Sequence, residues 1–380
     1  MDKKRLLEKC HTAFDLAGRQ VHSLVETHPD YFPTYTKEGK WKHGGETWAN
    51  WCSGFLAGEL WLLYQHTGDA WWREKAEHYC KLMEHRKNDQ TTHDLGFLFW
   101  PSWKYWYDLT GDEAINRVVI EAGRTQALRL KKGGYLCSAF SENSLFIDIM
   151  MNIGIVFYAA EQTQDEKLWQ IANQHCLITR RTLVRGDGSV AHEGIFDLET
   201  GEFLHQSTHQ GWRNDSAWVR GLTWALYGFG TAYQFTGDAR FLYTAETCAN
   251  YYIEHTPDSG VPPNDWDEPN PALPTESSAA ATAAAGLWNL SKLTRDSARA
   301  HFYSDYACRI IDTLTTPDFL AVETPGWEGI LKHAIYHQRL GLGVDESVMW
   351  GEYFFLEAIT KIIEDESSTK PKLDQMIIEP

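Results

Sequence analysis

The sequence predicts an all-α protein in which six helical hairpins close into a ring, an (α/α)6 barrel of six inner and six outer helices. Three observations carry this expectation. A Thr-x-Asp turn recurs five times along the 380 residues. The helix before each turn is aromatic and apolar, whereas the helix after it is amphipathic. The two ends of the chain supply one helix of each kind, and pairing them completes a sixth hairpin.

The turns are Thr67-Gly68-Asp69, Thr110-Gly111-Asp112, Thr163-Gln164-Asp165, Thr236-Gly237-Asp238 and Thr294-Arg295-Asp296. Glycine at a helix end tolerates the left-handed backbone, and the following Asp can accept a backbone N–H at the start of the next helix. Each turn therefore reads as a helix stop followed by a helix start. The segment 145–158, LFIDIMMNIGIVFY, is apolar on nearly every side and predicts one continuous inner helix buried all round. After the first turn, Trp72, Ala76, Tyr79, Cys80 and Met83 recur at helical spacing with Arg73, Glu74, Lys75, Glu77 and Lys81 between them, the pattern of an outer helix. The sixth hairpin pairs an apolar helix over about 350–363 with an amphipathic one over about 4–25. Irregular spacing between turns, together with inner helices apolar on all sides, favours a closed ring over an open solenoid.

Residues 1–365 read as one catalytic domain and 366–380 as a polar tail, with Met376-Ile377-Ile378 as a local docking point. The stretch 256–276 holds six of the thirteen prolines, and Trp266 lies between Asp265 and Asp267. It is too long for an ordinary connection and reads as a functional rim loop.

Hydrophobic residues make up 43% of the chain, with 17 each of Trp, Tyr and Phe, enough for a large aromatic core. The net charge of −17 argues against nucleic-acid and membrane-surface partners, whose affinity rests on clustered Lys and Arg. Seven scattered cysteines without a CxxC pair indicate neither a disulfide framework nor a zinc knuckle. The absence of an apolar signal segment near the N-terminus makes a cytoplasmic protein the expectation. No Walker loop, GxGxxG or nucleophile elbow occurs in a suitable context, so no cofactor is expected. Oligomeric state leaves no mark in the sequence.

Chemistry is sought where inner helices begin at the open mouth. Asp148 is the only carboxylate between Glu142 and Glu161, embedded in apolar residues, with Asn152 one helical turn on. A carboxylate in such a setting needs a partner, a raised pKa or a task, so both catalysis and a structural or capping role remain open. Asp94, in Thr92-His93-Asp94, starts another inner helix, where an N-cap is the plainer reading. Two carboxylates reaching one cavity would suit acid/base work on a glycoside.

The stretch 208–224, THQGWRNDSAWVRGLTW, is expected to open a third inner helix. Arg220 and Trp224 fall one turn apart on one face, pairing a planar cation for a carboxylate with a flat surface for a sugar. Trp218 joins them only if the regular helix starts after it. His205 and His209 have i,i+4 spacing but no third ligand nearby, so no metal site is expected. His192, after Gly186-Asp187-Gly188, reads as an ordinary loop histidine.

Taken together, His93-Asp94-Leu95-Gly96-Phe97-Leu98, Ile147-Asp148 with Asn152, Leu183-Val184-Arg185-Gly186-Asp187-Gly188, Thr208-His209-Gln210-Gly211 and Trp218-Val219-Arg220-Gly221 with Trp224 resemble the unsaturated glucuronyl hydrolases of glycoside hydrolase family 88. The resemblance extends over almost the whole chain. It implies Asp148 as catalytic acid/base and Asp94 as its partner. It also implies that Trp51, His192, His209, Gln210, Trp218, Arg220 and Trp224 bind the sugar, with Tyr336-His337 close to the pocket. The implied partner is an oligosaccharide ending in a Δ4,5-unsaturated uronic acid, which is released by hydration of its vinyl ether. Three departures from the family pattern are expected to affect specificity. The 135–146 loop is short, so that its aromatic contact is either missing or supplied by Phe140; Glu276-Ser277-Ser278 replaces an Asp-Ser-Ser run; and Ile330-Leu331-Lys332-His333 differs from the familiar segment. An unsaturated rhamnogalacturonyl hydrolase on the same scaffold, an epimerase-like barrel using paired histidines and a non-catalytic sugar-binding barrel remain alternatives.

Overall fold

The computed structural model describes residues 2–45, 51–271 and 275–369. Residues 272–274 of the proline-rich loop and the Met376-Ile377-Ile378 stretch lie outside the described residues.

The helices are α1 (Lys3–Thr27), α2 (Ser53–Thr67), α3 (Ala70–Leu82), α4 (Leu95–Phe99), α5 (Tyr105–Thr110), α6 (Glu113–Ala127), α7 (Ile149–Asn152), α8 (Gly154–Thr163), α9 (Glu166–Thr182), α10 (Val219–Thr236), α11 (Ala239–His255), α12 (Ser277–Leu293), α13 (Ser297–Leu314) and α14 (Met349–Thr369). A π-helical turn, Trp100–Lys104, joins α4 to α5. The inner ring runs α2, α4, α7 with α8, α10, α12, α14 and back to α2, each packing on the next. Outer helices α3, α6, α9, α11 and α13 cover the inner helices they follow. α1 closes the ring by packing on α2, α13 and α14, which is the expected sixth hairpin.

Four of the five turns are built as expected. Gly68, Gly111 and Gly237 end their helices at φ 71°, 65° and 65°, and Gln164 does so at φ 52°. The Thr completes the turn: Thr67 Oγ1 donates to the Leu63 carbonyl (2.7 Å) and accepts from the Asp69 N–H (3.2 Å), and Thr110 and Thr236 repeat both bonds. The Asp side chain then caps the outer helix, as with Asp112 to Ala114 N at 2.7 Å, each such cap contributing about 1 kcal/mol. The fifth turn differs. Thr294 stays extended (φ −68°, ψ 127°) and donates to Glu246 Oε1 at 3.1 Å, while Asp296 still caps α13. With Arg295 where the other turns carry Gly or Gln, the chain leaves its helix through an extended residue.

Outer helices bury one stripe, in α6 Ile115, Val118, Val119 and Ala122, at the i, i+3, i+4, i+7 positions of a single helical face. Inner helices are buried on every side, as in α12, where every residue from Ser277 to Leu287 is buried.

Three expectations are corrected. The 145–158 helix is broken: Ser144–Phe146 is a strand, α7 begins after Asp148, and Ile153 separates α7 from α8. Its first residues instead pair with a neighbouring strand, so that their backbone groups are satisfied across a sheet. The stretch 208–218 is loop, and α10 starts only at Val219. Residues 366–369 belong to α14 rather than to a tail, since no helix breaker occurs before Pro371.

The connections at the mouth form two small sheets. β1 (Ser144–Phe146), β2 (Glu193–Phe196) and β3 (Phe203–Ser207) are antiparallel in the order β1-β2-β3, with Phe146 opposite Glu193. β4 (Ala334–His337) pairs antiparallel with β5 (Leu342–Glu346). These ordered connections, rather than loose loops, position much of the site.

Candidate active site

A cavity of about 700 Å³ opens where the inner helices α4, α7 and α10 begin. Its lining includes Trp51, His93, Asp94, Phe140, Phe146, Asp148, His209, Gln210, Tyr336 and His337.

Asp94 immediately precedes α4, but its side chain does not cap the helix. Its carboxylate accepts instead from Thr92 Oγ1 (3.1 Å) and from Asn152 Nδ2 (3.2 Å). Asn152 also accepts the Phe97 N–H at 2.7 Å, tying α4 to α7. The helices meet closely because residue 96 is glycine: a Cβ there would lie 2.5 Å from Asn152 Cα. Burial pushes the Asp94 carboxyl up to about 7, against the opposing pull of Thr92, Arg129 and Asn152.

Asp148 immediately precedes α7, with φ −53° and ψ −31°. Its side chain is 16% exposed, and Oδ2 has no hydrogen-bond partner among the described residues. Burial pushes this carboxyl up to about 6; His93 and Arg220 oppose the rise and Asp94 adds to it. Two buried carboxyls thus titrate near neutrality in one cavity, which is the condition for acid/base chemistry.

Two histidines face this pair, each in a fixed tautomer. His93 Nδ1 accepts the Ala139 N–H at 2.8 Å, and Nε2 lies 3.6 Å from Asp94 Oδ1. His192 Nδ1 accepts the His209 N–H at 3.0 Å, and Nε2 lies 3.6 Å from Asp148 Oδ2. A ring nitrogen that accepts a backbone N–H carries no proton in neutral imidazole, so the proton is on Nε2 in both. Burial holds both rings below their ordinary pKa.

A sequence model of Glycosyl Hydrolase Family 88 matches residues 19–258, more than half of the chain. The chain belongs to glycoside hydrolase family 88. Among relatives, it is 32% identical over 346 residues to an unsaturated glucuronyl hydrolase of Bacillus sp. (strain GL1), covering 88% of this chain and 91% of that one. The crystal structure of the unsaturated glucuronyl hydrolase from Bacillus sp. GL1, responsible for the degradation of glycosaminoglycan, superposes with a TM-score of 0.87 at 29% identity, covering 94% of this chain and 96% of that one. An Asp-to-Asn variant of an unsaturated glucuronyl hydrolase from Streptococcus agalactiae, solved in complex with dGlcA-GalNAc6S, matches with a TM-score of 0.80 at 28% identity over 96% of each chain.

In this family 88 chain, the positions singled out in the sequence occupy two layers. Trp51, Asp94, Asp148, His209, Gln210 and His337 line the cavity. Trp51 donates its indole N–H to Tyr336 Oη at 3.1 Å. His209 lies 3.4 Å from Glu193 Oε2, and that hydrogen bond raises its pKa. Burial pushes His337 down to about 4.

His192, Trp218, Arg220 and Trp224 lie one layer deeper. Arg220 is 2% exposed and donates to Ile335 O (2.6 Å), Tyr336 O (2.8 Å) and Gln210 Oε1 (2.5 Å), with Trp218 and Trp350 on its faces. The expectation of a guanidinium open to a carboxylate is corrected: it braces β4 and Gln210 and acts on Asp148 through its charge. Trp224 packs on Phe97 and Phe354, and Trp218 on His192, so neither presents a face to the cavity. Because α10 starts at Val219, Trp218 is free of the helical phase that would have turned it away from Arg220.

Phe140, on the short loop, lies at the mouth of the cavity, 56% exposed, and stacks with Phe146 and His209. Glu276 is not at the cavity. It caps α12 through Ser278 N (3.0 Å) and Ala279 N (2.8 Å) and accepts Ile335 N at 3.1 Å, so this departure serves the fold. Lys332 donates to the Pro317 carbonyl, away from the lining. His205 lies in β3, where i,i+4 spacing does not bring it onto one helical face with His209.

Sequence reasoning missed Glu193, Arg339 and the tautomer-setting loops. Glu193 follows His192 directly, but only its place in β2, opposite Phe146, turns it toward His209. Arg339 also lines the cavity and had no signal beyond adjacency to the Tyr336-His337 motif.

Proposed function

We propose that this member of family 88 removes a Δ4,5-unsaturated uronic acid from the non-reducing end of lyase-generated oligosaccharides, with Asp148 as acid/base and Asp94 as its partner. The observation that carries this reading is the pair of largely buried carboxyls, pushed up to about 6 and 7 and bordering one cavity, with Asn152 joining the Asp94 carboxylate to the backbone carbonyl of Asp148. A neutral carboxylic acid is what a vinyl ether requires for protonation, whereas a fully ionised pair would have no proton to give.

In the reaction, the Asp148 O–H gives its proton to C4 and the C4=C5 electrons form the new C–H bond. The ring oxygen shares the positive charge left at C5. Water adds at C5 and loses a proton to the Asp148 carboxylate, restoring the acid. The resulting hemiketal opens by breaking the bond from C5 to the ring oxygen; C1, now a hemiacetal, then expels the next sugar. Asp94 borders the same site, and its charge adds to the rise of the Asp148 pKa, so that Asp148 keeps its proton to a higher pH than an ordinary carboxyl.

His209, Gln210, Trp51 and His337 bind the unsaturated sugar in this reading, with His192, Trp218, Arg220 and Trp224 supporting them from beneath. Residues 1–365 act as one catalytic unit. None of the seven cysteines takes part in a disulfide, which supports a reducing, cytoplasmic location.

The test is a panel of lyase-produced disaccharides from glycosaminoglycans, gellan, xanthan and pectin, followed by loss of the ultraviolet absorbance of the conjugated uronate. Consumption of glucuronyl substrates supports the proposal. Consumption of pectin-derived fragments alone would move it to the rhamnogalacturonyl activity, and binding of saturated sugars without turnover of any substrate would replace it with a sugar-binding barrel.

A further inference from the structure

Arg129 follows α6 and makes no ion pair with a carboxylate among the described residues, although it is half-buried. Its guanidinium donates only to backbone carbonyls: Nε to Cys137 (2.7 Å), Nη1 to Gln90 (2.7 Å) and Thr92 (3.2 Å), and Nη2 to Ser138 (2.5 Å). These carbonyls lie on two separate stretches. One leads directly into His93 and Asp94, and the other into Ala139. Gln126, three residues earlier, holds the His93 carbonyl at 2.7 Å. The end of α6 therefore clips together the two backbone segments whose meeting places the Ala139 N–H on His93 Nδ1.

A planar fork with fixed N–H directions suits this task, since it fixes both the separation and the orientation of the segments. Lysine would offer one mobile ammonium. The clip also places a positive charge behind Asp94, toward which it acts to lower the carboxyl pKa.

We propose that Arg129 and His93 form a positioning unit for the carboxyl pair: Arg129 locks the Ala139 N–H onto Nδ1, so that neutral His93 permanently presents its Nε2–H to Asp94 and Asp148. The unit does not transfer a proton. Burial pushes His93 down to about 4, so the ring stays neutral where the carboxyls titrate. The titratable and charged groups around it are Asp94, Asp148, His192, Arg220, Arg129 and Arg86. A fixed N–H donor favours the ionised form of a neighbouring carboxyl, so its loss raises the pH at which the acid form disappears.

The inference rests on the acid/base reading of Asp148, and the experiment keeps the two apart. Imidazole ¹⁵N NMR of the histidine-labelled full chain, assigned with His93→Gln, is expected to show His93 as the Nε2–H tautomer throughout about pH 5 to 8. Arg129→Lys is expected to give a mixture of tautomers. In parallel, His93→Phe keeps the ring shape and lacks the donor. It is expected to lower kcat/KM by about tenfold and to move the alkaline limb of its pH profile upward by roughly one unit. His93→Gln, whose amide N–H reaches the Nε2 position, is expected to bring the limb back toward the wild-type value. An Nδ1–H tautomer or a titrating His93 in the wild type overturns the proposal, as does a uniform loss of kcat/KM in His93→Phe with the limb unmoved. If Asp148→Asn turns over normally, the acid/base reading fails instead, while the NMR result still decides the tautomer lock.

Discussion

Asn152 donates its side-chain N–H to Asp94 at 3.2 Å and, from the same nitrogen, reaches the backbone carbonyl of Asp148 at 3.1 Å. One amide thus connects both carboxylate-bearing segments, while its oxygen accepts from Phe97. Asn152→Ala is expected to leave the Phe97 N–H without a partner in the core and to destabilise the protein by about 1–3 kcal/mol. Urea denaturation checks this. A concurrent fall in kcat/KM is expected because Asp94 loses a donor; wild-type activity in this variant would show that the link has no functional part.

Asp148→Asn is expected to abolish consumption of the conjugated uronate while leaving the circular dichroism spectrum unchanged. The amide fits the same space but has no carboxyl proton to deliver and cannot take one back from water. Ordinary turnover by this variant removes Asp148 from the mechanism.

The pH dependence follows from the direction of the carboxyl shifts. Asp148 is pushed up to about 6 and, in the proposed reaction, works as the neutral acid, so kcat/KM is expected to be highest below that value and to fall as pH rises through it. A profile that instead rose between about pH 5 and 7 would make the ionised carboxylate the working form.

Phe140 projects from the short loop at the mouth and is 56% exposed. Phe140→Ala is expected to raise KM for disaccharides by roughly three- to tenfold, with kcat nearly constant, because in the proposed reading an aromatic face at the mouth stacks on the leaving sugar rather than on the reacting carbons. An unchanged KM across the substrate panel would place the second sugar elsewhere on the rim.

Outside the cavity lining, Glu59 on α2 and Glu352 on α14 are buried together. Burial pushes Glu352 up to about 8, and burial and Glu352 raise Glu59 well above the ordinary carboxylate range. Both groups hold protons in the folded state that the unfolded chain releases near its ordinary value of about 4.5. Their contribution to stability is therefore complete at acidic pH and is lost as pH rises toward about 8. Glu59→Gln, which keeps a neutral side chain at all pH values, is expected to flatten the alkaline decline in the urea midpoint. An unaltered decline would assign it to other groups.

The repeat was legible in the sequence because a hairpin is a local object. The stop residue, the capping Asp and the periodicity of each helix lie within a few positions of one another, and backbone sterics and capping act over that range. Thr294-Arg295-Asp296 shows the limit of such reading: the motif kept its cap but not its left-handed residue, its Thr294 turning instead to Glu246 on another helix.

Asp148, Asp94 and the Thr208-His209-Gln210-Gly211 motif could be singled out by residue type and setting, and the family by their combination. The tertiary structure decided what each one does physically. Asn152 and Asp94 are 58 residues apart, and Arg220 finds its carbonyl partners 115 and 116 residues further on, so no local pattern could show that Arg220 braces the cavity from beneath rather than opening onto it. The His93 and His192 tautomers likewise depend on single N–H groups delivered by other loops. Helix phase is written in neighbouring residues, whereas hydrogen-bond partners and burial arise only when the ring closes and distant segments exclude water together.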